Sequence, residues 1–336
     1  MADITFSESS GVTDSLYGKS QEPIKMIIEK RAQLCEDNSV LPHLFAMEKS
    51  KHWAEKYTAM TAFNDFEPVG ESGEYPTNGW SESYSKTLSN VVWKSKFSIT
   101  REIIDDGNII DLKKKPAGFT SAYYATREKF GARLYGEAIK GNTSFMLGNE
   151  GFSTLGADGV CVFDAAHPSK VSGTTQCNLF SDEFSADALA AHECAMQSFM
   201  GDNDDILTVS PDTIVIPNHY ALKKAVFAAV GADKDPATAN NGFNFLYGRW
   251  RVIVWSYLNS FITAGSAPWM LLDSKYNKDA GCAIFQDRVK LEIRSEIASN
   301  DDNVWKGYAR FTGGFNDWRG MSLAGVSGAQ NSLIGA

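Results

Sequence analysis

The sequence lacks the marks of several protein classes. No stretch approaches the ~20 consecutive apolar residues of a membrane-spanning helix. The N-terminus, MADITFSESSGVTD, has neither a basic region nor an apolar core, so it does not read as a secretory signal. The five cysteines, Cys35, Cys161, Cys177, Cys194 and Cys282, are scattered, and none forms a CxxC pair. A zinc ribbon or thiol redox motif is therefore not offered, and reduced, buried thiols of a cytosolic setting fit better. Basic residues are few. Lys and Arg number 32 against 41 Asp and Glu, a net charge of −9, and the longest basic run is Lys113-Lys114-Lys115. That balance argues against a dedicated DNA- or RNA-binding module. No repeat period, coiled coil or low-complexity block appears.

The chain does have a core to build with. It has 336 residues, 43% of them hydrophobic and 12% aromatic, including 8 Trp, enough for one large or two ordinary domains. Residues 1–20 are polar and read as a flexible arm. Residues 22–36 read as a helix with Pro23 in its first turn and a stripe of Ile24, Ile27, Ile28 and Leu34. Residues 57–66 read as one strand of a long hairpin. The return strand is expected in VVWKSKFSIT, where Val91, Trp93, Phe97 and Ile99 alternate with Lys94, Lys96, Ser98 and Thr100. Between them lies EPVGESGEYPTNGWSES, rich in Gly, Pro and acid. A polar loop of that length usually marks a functional or partner-binding excursion. An isolated two-stranded arm is marginal in water, so it needs something to lie on, and a neighbouring subunit would serve.

A long helix is expected from Pro116 to Lys140, with Phe119, Tyr123, Phe130 and Leu134 at helical spacing. Gly131 and Gly136 should weaken or bend it. Arg127, Glu128, Lys129, Arg133 and Glu137 read as its charged outer face. Residues 185–200 read as a second helix capped by Ser185, with His192 unremarkable. Thr213, Ile214, Val215 and Ile216 form a buried strand, stopped by Pro217 and followed by a helix that Asn218 can cap. That strand-to-helix turn has no glycine, and Pro217 has no N–H, so it does not suit a phosphate. His219 reads as a surface or packing residue. The last third is β-rich: GRWRVIVWSYL, PWMLLD and VKLEIRSEI. In the last of these, Val289, Leu291, Ile293 and Ile297 face one way, and Lys290, Glu292, Arg294 and Glu296 the other. Cys161, Asp164 and His167 lie close in sequence, but three mixed groups with neither a fourth ligand nor a helix frame make a poor metal or catalytic set.

The order of these elements resembles the major capsid proteins of tailed bacteriophages, of the Hong Kong-type fold, close to Mu-like major head subunits. The residues that carry the resemblance run along nearly the whole chain: the hairpin ending in KFSITREIIDDG, the long helix after it, LGADGVCVFDAAHPS, SPDTIVIPNHYALKKAVF, WRVIVWSYLN, APWMLLD and YARFTGGFNDWRG. The resemblance implies an α+β capsid fold. Its parts would be an N-terminal arm and helix (1–56), an extended hairpin loop (57–100), a peripheral domain with a long spine helix (101–184), an axial domain (185–310) and a C-terminal segment (311–336).

It further implies a structural, non-enzymatic subunit of an icosahedral head, without cofactor, metal or catalytic residues and with no membrane contact. Such a subunit assembles with itself into hexameric and pentameric capsomers and encloses double-stranded DNA, which it contacts weakly and non-specifically. It is located in the virion capsid and assembled in the host bacterial cytoplasm. A separate scaffolding protein, a portal and a decoration protein are the expected partners. Lys86, Lys94 and Lys96 lie on the hairpin, but solvated charge explains them without a cross-link. Interface residues are expected at Trp80, Tyr75 and Tyr84, where aromatic side chains sit on the polar loop or beside it and could anchor in a neighbour. Two alternatives stay open: an encapsulin-type compartment shell, and a hydrolase using Cys161 and His167.

Overall fold

The computed structural model describes residues 5–8, 16–60, 66, 68–71, 73–75, 77, 82–105, 109–231, 233, 243–327, 329 and 331–334. Its organising element is a pair of long antiparallel strands, Ala283–Ile297 and Asn303–Phe315. Strand Val91–Ile99 pairs antiparallel on the free edge of Asn303–Phe315. On the opposite edge, Thr5–Glu8 and Ala46–Lys49 both pair parallel with Ala283–Ile297, one beyond the other. A second sheet has the order Arg251–Val254, Thr213–Ile216, Trp269–Leu272, Met321–Ala324. Its two central strands are buried at every residue, as their unbroken apolar runs require.

The sequence reading needs several corrections here. Val91–Ile99 is not the return strand of the hairpin. That role belongs to Glu82–Ser89, which pairs with Ala54–Met60, while Val91–Ile99 joins the large sheet. The alternation of Val91–Ile99 was read correctly, with Ile99 fully buried, but alternation does not name a partner. The N-terminal arm is not wholly free, because Thr5–Glu8 adds a strand to the sheet. The first helix runs Leu16–Asp37, so Pro23 lies inside it. Ile24, Ile28 and Ala32 are its buried stripe, and Leu34 is exposed.

The long helix runs Ile109–Ile139, which at the usual rise is about 46 Å. Pro116 stands inside it and not at its start. The lost backbone hydrogen bond is outweighed by packing, for Pro116 and Thr120 are buried and Phe119 lies 4.9 Å from the Phe97 ring. Gly131 and Gly136 serve close approach. A Cβ at Gly131 would stand 2.5 Å from Leu41 Cδ2, and one at Gly136 would stand 2.4 Å from Phe261 Cβ. Farther along, Phe130 packs edge-on against Trp93, Phe152, Phe285 and Phe311, which ties the helix to the sheet.

Arg127 overturns the reading of a wholly charged outer face. It is buried and makes a two-pronged ion pair with Asp287, at 2.6 and 2.7 Å. Its neighbour Glu128 accepts from Ser39 Oγ, from the Val40 N–H and from Trp255 Nε1. The strand Arg251–Val254 lies at a sheet edge, with Ile253 buried and Val252 and Val254 half-buried beside it. Ile297, expected on the buried face, is exposed at the end of its strand. Ser185 does cap its helix, accepting from the Ala188 N–H. In the helix Tyr220–Val230 the cap is His219, not Asn218.

Candidate assembly interface

The hairpin is rooted by two buried polar networks. Asn90 sits between its return strand and the large sheet. Its side-chain amide donates to Ser50 Oγ (2.8 Å) and the His52 carbonyl (3.0 Å), and its Oδ1 accepts from Gln286 Nε2 (2.8 Å). Gln286 in turn accepts from the Tyr57 hydroxyl at 2.9 Å, and burial pushes that phenol up to about 12. The turn before the hairpin is closed by Glu55, which accepts from the Lys51 and His52 N–H groups; those bonds hold its carboxyl below the usual range.

The second network ties the return strand to the body. Ser83 donates to Asp202, and Lys170 Nζ donates to the Ser83 carbonyl at 2.9 Å. Arg319 Nη2 holds the other Asp202 oxygen at 2.8 Å, while its remaining groups reach Asp317 (3.3 Å) and the Met200 carbonyl (3.0 Å). Lys86 Nζ turns inward to Ser153 Oγ (3.1 Å) and the Leu155 carbonyl (3.0 Å), and burial pulls its ammonium down. Lys86 is therefore an internal donor and not the solvated hairpin charge expected of it, and Lys94 and Lys96 lie on Val91–Ile99 of the large sheet and not on the hairpin.

Beyond these roots the described loop residues are all exposed. Tyr75 is 94% exposed and Phe66 98%. Phe66 was missed at the sequence level, though it is an aromatic close to the same polar loop as Tyr75 and Trp80. Trp80 lies outside the described residues. Tyr84 is half-buried at the hairpin root, with Lys170 Nζ 5.6 Å from its ring centre, and burial raises its phenol. From Asp65 to Glu82 the sequence carries five acidic side chains and no basic one.

The residues that invited a chemical reading are all engaged in packing. Cys161 Sγ faces the Ala138 carbonyl at 3.6 Å, and burial raises its thiol, the wrong direction for a nucleophile. His167 is buried, stacks on Trp318, and spends both ring nitrogens on Asp158 (2.7 Å) and Asn178 (3.1 Å). Asp164 closes a local turn onto the Ala166 N–H. Among the described residues no base is in hydrogen-bond contact with the thiol, so this geometry lends the hydrolase alternative no support. Among the described residues no cluster of His, Cys, Asp or Glu could hold a metal ion.

His192 is less ordinary than its sequence context promised. It is buried between Phe180 and Trp269, and its Nε2 donates to Asp182 at 3.0 Å. Asp182 also accepts from Ser332 and from the Leu333 N–H, pinning the C-terminal segment. Burial pushes the Asp182 carboxyl up, but these bonds together hold it below its ordinary value. The other ring nitrogen of His192 has no hydrogen-bond partner among the described residues, so a second proton there would be buried without an acceptor from them. Burial accordingly holds the imidazole below its ordinary 6.5, against the pull of Asp182. The unfolded chain takes up this proton more readily than the folded one. Stability is therefore retained above pH 6.5 and lost as pH falls below it, with a slope of up to about 1.4 kcal/mol per pH unit. His43, also held low, acts in the same window. Unfolding titrations at pH 7 and 5.5 should show the loss, and His192→Gln should reduce it. Equal wild-type stability at both values would refute the assignment.

The two sheets, the long helix and the hairpin rooted beside them make an α+β fold of the Hong Kong type. The same fold is seen in the capsid of Ralstonia phage GP4, at 10% identity over 85% of this chain and 86% of that one, TM-score 0.50. The bacteriophage JBD30 capsid aligns at 13% identity over 66% of this chain and 91% of its own, TM-score 0.49. A virus-like particle from Pyrococcus furiosus aligns at 8% identity over 90% and 98%, TM-score 0.48. No curated protein sequence matches. A family model described as "Phage capsid protein" matches residues 86–323, more than two thirds of the chain. The chain belongs to that phage capsid protein family: it is a structural subunit of the phage head, a component of the virion capsid that assembles with copies of itself, and not an enzyme. An encapsulin-type shell is not favoured by this match.

Proposed function

We propose that the chain forms hexameric and pentameric capsomers of an icosahedral head around double-stranded DNA, and that its acidic hairpin is the strap between neighbouring subunits. The observation that carries this reading is the contrast along the hairpin: its root is held by buried Asn90, Gln286, Ser83 and Asp202, while Phe66 and Tyr75 stand almost fully exposed. A rigid base with exposed aromatics beyond it suits an arm that gains its remaining burial from another copy. Trp80 and Tyr75 are proposed as anchors of that contact, with Tyr84 supporting the root. A peripheral unit around the long helix (101–184) and an axial unit (185–310) would divide the body. By motif order the chain would be a Mu-like head subunit. Assembly would take place in the host bacterial cytoplasm with a separate scaffolding protein, a portal and a decoration protein.

Removing residues 66–77 leaves the strand Glu82–Ser89 and its Ser83–Asp202 bond in place. The shortened subunit should melt like the wild type yet form no closed particles in electron micrographs. Normal shells from it would end the strap reading.

A further inference from the structure

The C-terminal segment is fastened to the body by one buried carboxylate. Asp182 Oδ2 accepts from the Leu333 N–H at 2.8 Å and from His192 Nε2 at 3.0 Å. Its Oδ1 accepts from Ser332 Oγ and from the Ile334 N–H at 3.4 Å. Two further bonds extend the clasp: the Ser181 N–H donates to the Asn331 carbonyl at 2.9 Å, and Asn331 Nδ2 donates to Cys177 Sγ at 2.9 Å. Little apolar burial assists them, for Leu333 and Ile334 remain 38% and 42% exposed. Ordinary terminal packing would bury those two side chains. Nor does a Lys or Arg neutralise the carboxylate, as Arg319 does Asp202 and Arg127 does Asp287. The ion-pair partner of Asp182 among the described residues is His192. A clasp built on one carboxylate and one imidazole can be undone by protons alone.

We infer that residues 331–334 form an acid-released latch, which undocks from Ser181 and Asp182 as pH falls while the two sheets stay folded. Acid acts on both partners in one direction. A proton on Asp182 takes away an acceptor that the Ser332 hydroxyl and two N–H groups share. A second proton on His192 would sit at Nδ1, which has no hydrogen-bond partner among the described residues while Phe180 and Trp269 enclose the ring. Asp182 is the titratable group that faces the imidazole. On the helix of His192 itself, Glu193 turns to Arg249, and Trp269–Leu272, Met321–Ala324 and residues 331–334 bring no titratable side chain. The opening is local because Phe180 and Trp269 belong to the main core, whereas the tail is held by polar contacts that water can replace. Undocking lets water reach the pair and restores the ordinary 6.5 of the imidazole. One proton then makes release up to about eightfold more frequent at pH 5.5 than at pH 7.

Cys177 reports the latch, since its Sγ lies against Asn331, while Cys194 is exposed and Cys161 and Cys282 are buried. The full chain carrying Cys35→Ser is pulsed with a dithiodipyridine, a thiol reagent that works in acid. Labelling of Cys177 is read by mass spectrometry as a ratio to Cys194, which cancels the pH dependence of thiolate formation. The ratio should rise about five- to eightfold from pH 7 to pH 5.5, with Cys161 and Cys282 still protected. Leu333→Pro lacks the N–H given to Asp182, so it should raise the ratio already at pH 7 and leave the circular dichroism of the body unchanged. His192→Gln can still donate to Asp182 but takes up no proton, and should flatten the rise. An equal ratio at both pH values in the wild type would overturn acid release. A rise shared by Cys161 and Cys282 would mean global opening and overturn the latch as a local device. A wild-type ratio in Leu333→Pro would overturn the clasp itself, and an undiminished rise in His192→Gln would overturn His192 as the group that takes the proton.

Discussion

Arg127→Met should cost the free subunit about 3–5 kcal/mol of unfolding free energy, the usual loss when one partner of a buried ion pair is removed. The reason lies in what would be left behind. Asp287 is buried in the large sheet, and both of its oxygens receive the Arg127 guanidinium. Without that cation a carboxylate would remain in a low-dielectric interior with nothing to offset its lost hydration. Arg127 also lies over the Phe285 and Phe311 rings, 4.7 and 5.1 Å from their centres, so packing is lost with the charge. Replacing both partners, as Arg127→Met with Asp287→Leu, should recover most of the loss, because no charge is then stranded. Denaturant unfolding of the three variants decides the matter. A single Arg127→Met within 1 kcal/mol of wild type would show that the pair is solvated, contrary to its burial.

Asp202→Ala should be nearly as damaging, but locally. It removes the acceptor of Ser83 and one of the two carboxylates that neutralise Arg319. Two charge-assisted hydrogen bonds at roughly 1.5–3 kcal/mol each put the loss at about 3–6 kcal/mol. The expected signature is uneven. Amide exchange should accelerate in Glu82–Ser89, whose anchor is cut, and stay slow in Thr213–Ile216, which lies in the other sheet. Asp202→Asn should be intermediate, since an amide oxygen can still accept from Ser83. Uniform acceleration over both strands would mean that Asp202 supports the whole fold and not the hairpin root.

The elements most legible in the sequence were those whose partners did not need naming. Thr213–Ile216 and Trp269–Leu272 are apolar at nearly every position, and burial on both faces follows directly. Ser185 capped its helix because a cap is a local interaction. What failed depended on distant residues. Val91–Ile99 alternates equally well for either neighbour, and the choice fell to Asn303–Phe315, two hundred residues away. Arg127 looks like any surface arginine until Asp287 is brought beneath it. Pro116 reads as a helix start by its own chemistry, yet the contacts on either side of it carry the helix through. The candidate site was legible only in part. The polar loop and its aromatics drew notice, whereas the anchors at its root, Asn90 with Gln286 and Ser83 with Asp202, could not, because each pair is brought together only by the fold.

The two short strands on the edge of Ala283–Ile297 have a temporal meaning as well. Thr5 is matched with Glu292 and Ala46 with Ile284, so each waits on the ribosome for a partner made far later. At about 5–20 residues per second the delay is of the order of ten seconds to a minute. Val91–Ile99 waits similarly for Asn303–Phe315. The large sheet therefore stays open until Asn303–Phe315 is made, and until then its early strands present unpaired backbone to every other chain being made nearby.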